Sequence, residues 1–191
     1  MAGLFSNLVE TILAGKRDQN IVQGFQKLIE EERTGLDVGC GDGRLSKKIQ
    51  EQLNLELVGV DVYQAKNPKI NVLLFDGQKL PFPDNSFDSV FLIDMLHHTQ
   101  NSEILLKESL RVAKKSVLIK DHYYQNKFEL RVLKIADWLG NFLAKVHTPF
   151  YFKSKQEWTA LLQSFDFQII EWRSSIFPAI TFPQVIYKIS K

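Results

Sequence analysis

The sequence contains very little of what defines several protein classes. Among 191 residues there is one cysteine, Cys40, so no intrachain disulfide can form, and no Cys/His pair has zinc-finger spacing. We therefore expect no bound metal and a reducing, cytoplasmic environment. Long apolar runs of the roughly 18 residues that span a bilayer are also absent, and residues 3–9 lack the basic flank of a signal peptide. Contact with a membrane surface stays open, as does the oligomeric state.

The sequence also has almost no net charge, which argues against a nucleic-acid-binding protein. The sequence contains 24 Lys and Arg residues and 22 Asp and Glu residues. The charges are nevertheless unevenly distributed along the chain. Residues 111–191 contain 13 basic and 6 acidic residues, whereas residues 1–110 contain 11 basic and 16 acidic residues. Of the 22 aromatic residues, 15 lie at or after Tyr123. We therefore expect the two parts of the chain to contact different kinds of molecule.

Short apolar runs alternate with helical patterns along most of the chain. Two helices are expected within residues 5–32, and the runs after them predict strands at residues 35–38, 56–60, 71–75, 89–93 and 116–119. Helical spacing between these strands predicts helices at residues 44–53 and 102–112. Strands alternating with helices in this way predict a Rossmann-like, doubly wound α/β sheet, mostly parallel, with helices on both faces.

The second part of the chain is expected to complete a seven-stranded sheet whose last strand is antiparallel. We predict a long helix at residues 126–146 that ends before Pro149, a shorter helix at 155–165, and an edge hairpin of strands at 167–172 and 183–189. All of this forms one domain over residues 1–191. Its expected parts are N-terminal helices (1–33), a binding core (34–120), a lid or substrate element (121–165) and closing strands (166–191).

A glycine-rich turn follows the first predicted strand. Residues 36–44 read LDVGCGDGR, a strand that leads through Gly39, Gly41 and Gly43 into a helix. In a doubly wound sheet this turn lies where ligands bind, and glycine lets the backbone approach the ligand closely. The spacing differs from the G-x-G-x-x-G pattern of dinucleotide sites, and no Lys-Ser/Thr pair closes the loop as in a phosphate-binding loop. A structural turn without a ligand is the alternative.

Acidic residues follow the next three strands. Asp61 ends the second strand, Asp76 follows the third and Asp94 follows the fourth. Each one alone could cap the next helix. Beside a glycine loop, however, a carboxylate at the end of the second strand is suited to accept hydrogen bonds from two ribose hydroxyls. Three acidic strand ends beside one glycine loop are less readily explained as helix caps than any one of them alone.

These segments resemble those of the class I S-adenosylmethionine (SAM) dependent methyltransferases, in particular the small-molecule group with the pattern D-V-G-C-G-x-G. Residues 80–88, LPFPDNSFD, and 96–98, LHH, match two further segments of that group. The resemblance covers residues 35–120 and implies SAM as cofactor, S-adenosylhomocysteine (SAH) as product and a small-molecule acceptor. Like the residues themselves, it implies no metal.

The resemblance also assigns roles to the residues that match the motifs. It implies that Asp37 orders the loop or reaches the amino group of SAM, and that Asp61 holds the ribose. The methionine part would contact Gly39, Cys40 and Gly41. The adenine would contact Val62, Asp76, Gly77 and Gln78. The floor near the sulfonium would be formed by Asp94, Met95 and Leu96.

Ionisable residues after the fourth and fifth strands are the candidate catalytic groups. They are His97, His98, Asp121 and His122, any of which could deprotonate an acceptor or instead be a hydrogen-bonded structural residue. Candidate substrate residues are Tyr123, Asp137 and Asn141. The last two are four apart on one helix face, which could equally be a solvated surface.

Two other functions stay open from the sequence. A non-catalytic SAM-binding or interaction module would keep the glycine loop without turning over an acceptor. A nucleic-acid methyltransferase is disfavoured, because no Asn-Pro-Pro-Tyr-like motif for a flipped base stands at residues 94–97. The leading prediction is a methyltransferase that acts on an apolar or anionic small molecule.

Overall fold

A computed structural model describes residues 15–144, 149–177 and 180–191, with side chains described except at 139–144, 174–177 and 180–181. The predicted helix before residue 15, the end of the helix predicted to reach residue 146, and His147 lie outside the described residues. Helix α1 is described over residues 15–26. Among the described residues, no helix is long and apolar enough to cross a membrane.

The chain forms the predicted α/β sheet with helices on both faces. The strands are β1 (Thr34–Val38), β2 (Glu56–Asp61), β3 (Asn71–Leu74), β4 (Phe87–Ile93), β5 (Ala113–Tyr124), β6 (Lys153–Ser154), β7 (Phe167–Phe177) and β8 (Ile180–Ser190). The helices after α1 are α2 (Arg44–Leu53), α3 (Ser102–Val112), α4 (Lys127–Ala144) and α5 (Lys155–Leu162), with a single 3₁₀ turn at Leu96–His98.

Seven strands form the main sheet in the order β3-β2-β1-β4-β5-β8-β7, and the short β6 pairs with β5. Strands β1 to β5 are parallel, β8 is antiparallel to both of its neighbours, and β7 and β8 form the predicted hairpin. The predicted fold class, including the antiparallel last strand, is confirmed. Because the order reverses between β1 and β4, a crevice forms at the carboxyl ends of the central strands, where doubly wound sheets bind ligands.

Alternating side chains of the central strands build a core on each face of the sheet. On one face, Val90 and Leu92 pack with Leu105 of α3 and Trp158 of α5. On the other face, Phe91 packs edge-to-face on Phe25 of α1 with ring centroids 5.2 Å apart. Strands buried on both faces explain the nearly continuous apolar runs of the sequence.

The prediction for β5 was wrong in length. We predicted residues 116–119 as the strand and placed Asp121 and His122 after it, but the strand continues to Tyr124. Antiparallel pairing extends it, since Asp121 pairs with Val185 and His122 with Gln184 of β8. Polar residues hide this extension from the hydrophobic pattern, whereas the backbone ladder to β8 favours it. Two candidate catalytic residues therefore lie on a rigid strand.

Candidate functional site

The glycine loop leaves β1 at the crevice and is shaped by backbone contacts. Gly39 and Gly41 have φ angles of 74° and 59°, values that residues with a side chain rarely adopt. The backbone N–H of Gly39 donates to the carbonyl of Val60 at 2.8 Å, which attaches the loop to the end of β2. A Cβ on Gly39 would lie only 3.0 Å from Cβ of Met95. Glycine at this position therefore lets the loop lie against the segment that follows β4.

Asp37 is buried beneath the loop. Its Oδ2 accepts a hydrogen bond of 2.6 Å from the hydroxyl of Ser46 in α2, whereas its buried Oδ1 has no hydrogen-bond partner among the described residues. Burial, reinforced by the negative charge of Asp61, raises the pKa of Asp37 to about 7, although the bond from Ser46 opposes the shift. A carboxyl group with one unsatisfied oxygen beneath a ligand loop is suited to receive a cationic donor.

Asp61 ends β2 and faces the loop. Its carboxylate accepts from the backbone N–H of Gly41 at 2.7 Å and from that of Tyr63 at 3.0 Å. Each carboxylate oxygen can accept a second hydrogen bond, so capacity for two hydroxyl donors remains. The two bonds fix the orientation of the carboxylate before any ligand binds.

The candidate adenine residues lie together at the outer side of the crevice. A Cβ on Gly77 would lie 3.3 Å from Cγ1 of Val62, whose side chain is half exposed. The exposed Asp76 accepts from the backbone N–H groups of Gln78 and Lys79, both at 2.8 Å, and these bonds lower the pKa of Asp76. Both bonds end on Oδ1. The turn thus presents an ionised acceptor beside an accessible apolar side chain.

Asp94 lies directly after β4 with a positive φ of 49°, and two cations contact its carboxylate. Lys120 of β5 donates to one oxygen, Arg17 of α1 donates to the other, and Nδ1 of His122 lies 3.2 Å away. Burial alone would raise the pKa of Asp94, but the charges of Lys120 and Arg17 hold it well below its usual range. The negative charge of Asp94 is therefore largely balanced within the chain.

Helix α1 is held against the glycine-loop helix by a buried carboxylate. The side chain of Asp18 is only 1% exposed and contacts Arg17, Arg44 and Lys48, with 2.7 Å between its Oδ2 and the Lys48 ammonium. Burial opposes ionisation, but the hydrogen bonds from Arg44 and Lys48 outweigh it and lower the pKa of Asp18. This cluster places Arg17 over Asp94.

Residues 95–98 lead from the crevice at the end of β4 to a group of histidines. Met95 packs on the core, and Leu96, which begins the 3₁₀ turn, is fully buried. The N–H of His98 donates to the carbonyl of Met95 at 3.0 Å. The turn places the rings of His97 and His98 side by side, with centroids 4.0 Å apart.

His97 and Asp121 form the tightest pair of this group. Nδ1 of His97 donates to Oδ1 of Asp121 at 2.6 Å, and Phe152 stacks on the imidazole with ring centroids 4.5 Å apart and planes inclined by 12°. The ring of His122 lies 6.1 Å from that of His97. Hydrogen bonding and stacking together fix both the tautomer and the plane of the His97 ring.

Asp137 of α4 lies beside the Nε2 atoms of both histidines, whereas Asp121 lies beside Nδ1 of His97. Its Oδ1 lies 3.6 Å from Nε2 of His97 and 3.7 Å from Nε2 of His98. Burial opposes protonation of His97, but Asp121 and Asp137 outweigh it and raise the pKa of His97 to about 10. Burial and the charge of His97 lower the pKa of His98. Side-chain contact with Asp137 joins α4 to the histidine group.

Of the candidate substrate residues, Tyr123 lies outside this group. Tyr123 is buried in the core, and the ammonium of Lys155 lies 5.6 Å from its ring centroid. Asn141 lies in α4 one turn after Asp137, and its side chain is outside the described set. The other candidates, His97, His98, Asp121 and His122, are brought together.

Two residues that contact these candidates were missed by the sequence analysis. Lys120 is next to Ile93 in the β4–β5 register, so its approach to Asp94 could have been predicted from the strand order. Arg17 lies far from the site in sequence, and no local pattern indicates its position. Only the packing of α1 brings it to the crevice.

Comparison with known proteins points to methyltransferases. Residues 36–119 match a family model described as a methyltransferase domain. A sterol 24-C-methyltransferase of Gibberella zeae is 29% identical over 58% of this chain and 34% of its own length. Ajmaline N-methyltransferase of Rauvolfia serpentina is 25% identical over 51% of this chain and 38% of its own length. This chain thus spans about a third of the length of these relatives. An uncharacterised protein of Methanocaldococcus jannaschii is 24% identical over 83% of this chain and 76% of its own.

Solved structures share the fold. A SAM-dependent methyltransferase of Thermotoga maritima superposes with a TM-score of 0.71 at 20% identity, covering 98% of this chain and 96% of its own. The magnesium protoporphyrin IX methyltransferase of Synechocystis, crystallised with SAH, superposes with a TM-score of 0.64 at 14% identity. The superposition covers 94% of this chain and 84% of that protein. At these identities the likeness concerns the fold, and the family match concerns the segment from β1 to β5.

Proposed function

We propose that the chain is a class I SAM-dependent methyltransferase, and that it methylates a small-molecule acceptor bound between the crevice and helix α4. The observation that carries the proposal is the continuity of two groups of side chains. The glycine loop, Asp61 and Met95 form one side of the crevice, and the histidine group begins two residues after Met95. A donor in the crevice and an acceptor beside His97 would be neighbours.

The cofactor-binding roles follow from the contacts of each residue. We assign the ribose hydroxyls to Asp61, because its carboxylate is already oriented by two backbone N–H groups. The ammonium group of the methionine part is assigned to Asp37, whose Oδ1 offers an unused acceptor at the loop. Asp76 would accept from the adenine amine while Val62 packs on the ring. Bound SAM supplies an electrophilic methyl group on a sulfonium sulfur.

The protein's own part in the reaction is alignment and exclusion of water. An in-line displacement needs the acceptor atom opposite the leaving sulfur, and a site that holds both reactants in this geometry can lower the barrier by roughly 7–11 kcal/mol. Asp121 serves as a positioning residue, because it fixes the ring of His97. We place His97, His98, His122 and Asp137 at the acceptor. Helix α4 lies over this region and acts as its cover.

The acceptor class is inferred from the relatives and from the composition of α4. The relatives named above methylate a sterol and an alkaloid according to their names. Exposed Phe128, Ile135 and Trp138 lie on α4, next to the basic residues Arg131 and Lys134. An apolar molecule, with or without an anionic group, fits such a surface better than an uncharged polar one.

A direct test measures methyl transfer from isotopically labelled SAM to a panel of acceptors. The panel contains a sterol, an alkaloid amine, an apolar carboxylic acid and an uncharged sugar alcohol of similar size. We expect transfer to at least one of the first three and none above background to the sugar alcohol. Tight SAH binding without turnover of any apolar acceptor would instead favour a non-catalytic SAM-binding module, and preferential turnover of the sugar alcohol would refute the acceptor class.

A further inference from the structure

The two adjacent histidines direct the same ring atom toward one carboxylate. Nδ1 of His97 donates to Asp121, and Nδ1 of His98 lies 3.5 Å from the carbonyl oxygen of Pro149, which can only accept. In both rings Nδ1 is therefore the atom that faces an oxygen acceptor of the chain. Nε2 of each ring lies beside Oδ1 of Asp137, at 3.6 Å and 3.7 Å.

This arrangement places two imidazole nitrogens and one carboxylate oxygen around a common point. Nε2 of a histidine carries either a proton or, once that proton is lost, a lone pair that can bind a metal ion. An ion bound here would take the place of a proton between the rings and Asp137. Both rings are held in the orientation in which histidine binds metals.

The distances suit a shared metal ion. Two ligands bound at about 2.0–2.1 Å with a tetrahedral angle lie about 3.3 Å apart. The distances from Asp137 exceed that value by a few tenths of an ångström, and the three ligand atoms lie within 4.8 Å of one another. Direct hydrogen bonds at 3.6 Å and 3.7 Å, by contrast, would be too long.

The surroundings also resemble a metal site. Histidine ligands generally donate their other ring N–H to a carboxylate or a carbonyl, and here Asp121 and Pro149 provide both kinds of acceptor. Stacking of Phe152 fixes the ring of His97. The side chain of His97 is 4% exposed, whereas those of His98 and Asp137 are 23% and 19% exposed, so an ion could enter from their side.

We propose that His97, His98 and Asp137 bind one divalent transition-metal ion. Three ligands from the protein would leave at least one coordination position for water or for a heteroatom of an acceptor. The proposal goes beyond methyl transfer from SAM, which does not itself require a metal. It does not depend on the identity of the acceptor, since binding of the ion alone can be measured.

The test uses the full chain, treated with a chelator, dialysed and titrated with Zn²⁺ against a chromophoric chelator. We expect one Zn²⁺ per chain, bound with a Kd of micromolar or below. The variants His98→Ala and Asp137→Asn should each weaken binding at least tenfold, and both change partly exposed side chains. Circular dichroism verifies that each variant is folded, and SAH binding by the metal-free samples reports separately on the methyltransferase site.

A matched control tests the position of the ion. His122 belongs to a second group, with His97 and Asp121, whose atoms could also hold a metal. We expect His122→Gln to bind Zn²⁺ within threefold of the wild type. The proposal is overturned if the folded wild type retains no stoichiometric Zn²⁺, so that a proton on His97 serves as the cation. It is overturned equally if His122→Gln loses binding while His98→Ala and Asp137→Asn keep it.

Discussion

The buried carboxyl group of Asp37 predicts that SAM binding depends on pH near neutrality. With its pKa raised to about 7, Asp37 is about one-tenth ionised at pH 6 and about nine-tenths ionised at pH 8. If only the ionised form receives the ammonium of SAM, the affinity should rise about tenfold between these two pH values. Replacement by Asn removes the titrating group, so Asp37→Asn should bind more weakly at pH 8 and lose most of the pH dependence.

The same pKa fixes the sign of a stability effect. Because the folded state holds the Asp37 proton more tightly than the unfolded chain does, the native protein binds more protons between about pH 4 and pH 7. Its contribution to the free energy of unfolding therefore falls as pH rises through this window, by at most about 4 kcal/mol for a shift of this size. As pH rises over that range, the free energy of unfolding of Asp37→Asn should fall less than that of the wild type.

Calorimetric titration with SAM at pH 6, 7 and 8 measures the binding effect. The ionisable groups that face Asp37 are Asp61 and Cys40, and Ser46 donates to it. A matched variant, Ser46→Ala, removes the bond that lowers the pKa, so the midpoint of the affinity change should move to higher pH. Equal slopes in the wild type and Asp37→Asn would refute the reasoning, because another group would then carry the pH dependence.

Further predictions concern the contacts that hold the crevice together. Asp18→Asn should lower the free energy of unfolding measured in urea by about 1–3 kcal/mol, because Arg44 and Lys48 lose their buried carboxylate partner. The control Glu51→Gln changes an exposed ion pair and should alter the free energy of unfolding by less than about 0.5 kcal/mol. Gly39→Ala should weaken SAH binding at least tenfold in calorimetry, since φ is positive and Met95 is close; unchanged affinity would contradict the assigned loop. Lys120→Met should destabilise the fold by about 3–5 kcal/mol in the same urea assay, because Asp94 loses a buried partner, and a loss below 1 kcal/mol would show that Arg17 alone balances the carboxylate.

The sequence was sufficient to predict the central sheet and the grouping of residues at the carboxyl ends of β1, β2 and β4. Apolar runs that end in glycine or aspartate mark the carboxyl ends of β1, β2 and β4, and parallel strands place those ends at one edge. Asp37, Asp61 and Gly39 could therefore be placed together without coordinates. Local pattern and sheet geometry agree there, which makes the prediction reliable.

Contacts set by tertiary packing could not be predicted in the same way. β5 continues through Asp121 because β8 pairs with it, and polar side chains conceal that continuation. The helical spacing of Asp137 left open whether it faces solvent or a ligand, and only the position of α4 brings it to His97. Arg17 reaches Asp94 across 77 residues. The surroundings of Asp94 and His97 are built from such distant partners.

The measurement that tests the central assignment most directly is the affinity of the wild type and of Asp61→Ala for SAM and SAH. We predict that the wild type binds both and that the variant binds SAM at least tenfold more weakly, equivalent to about 1.4 kcal/mol, while its fold by circular dichroism is unchanged. Absence of SAM binding by the folded wild type, or equal affinity of the variant, would contradict the assignment of the crevice as the cofactor site.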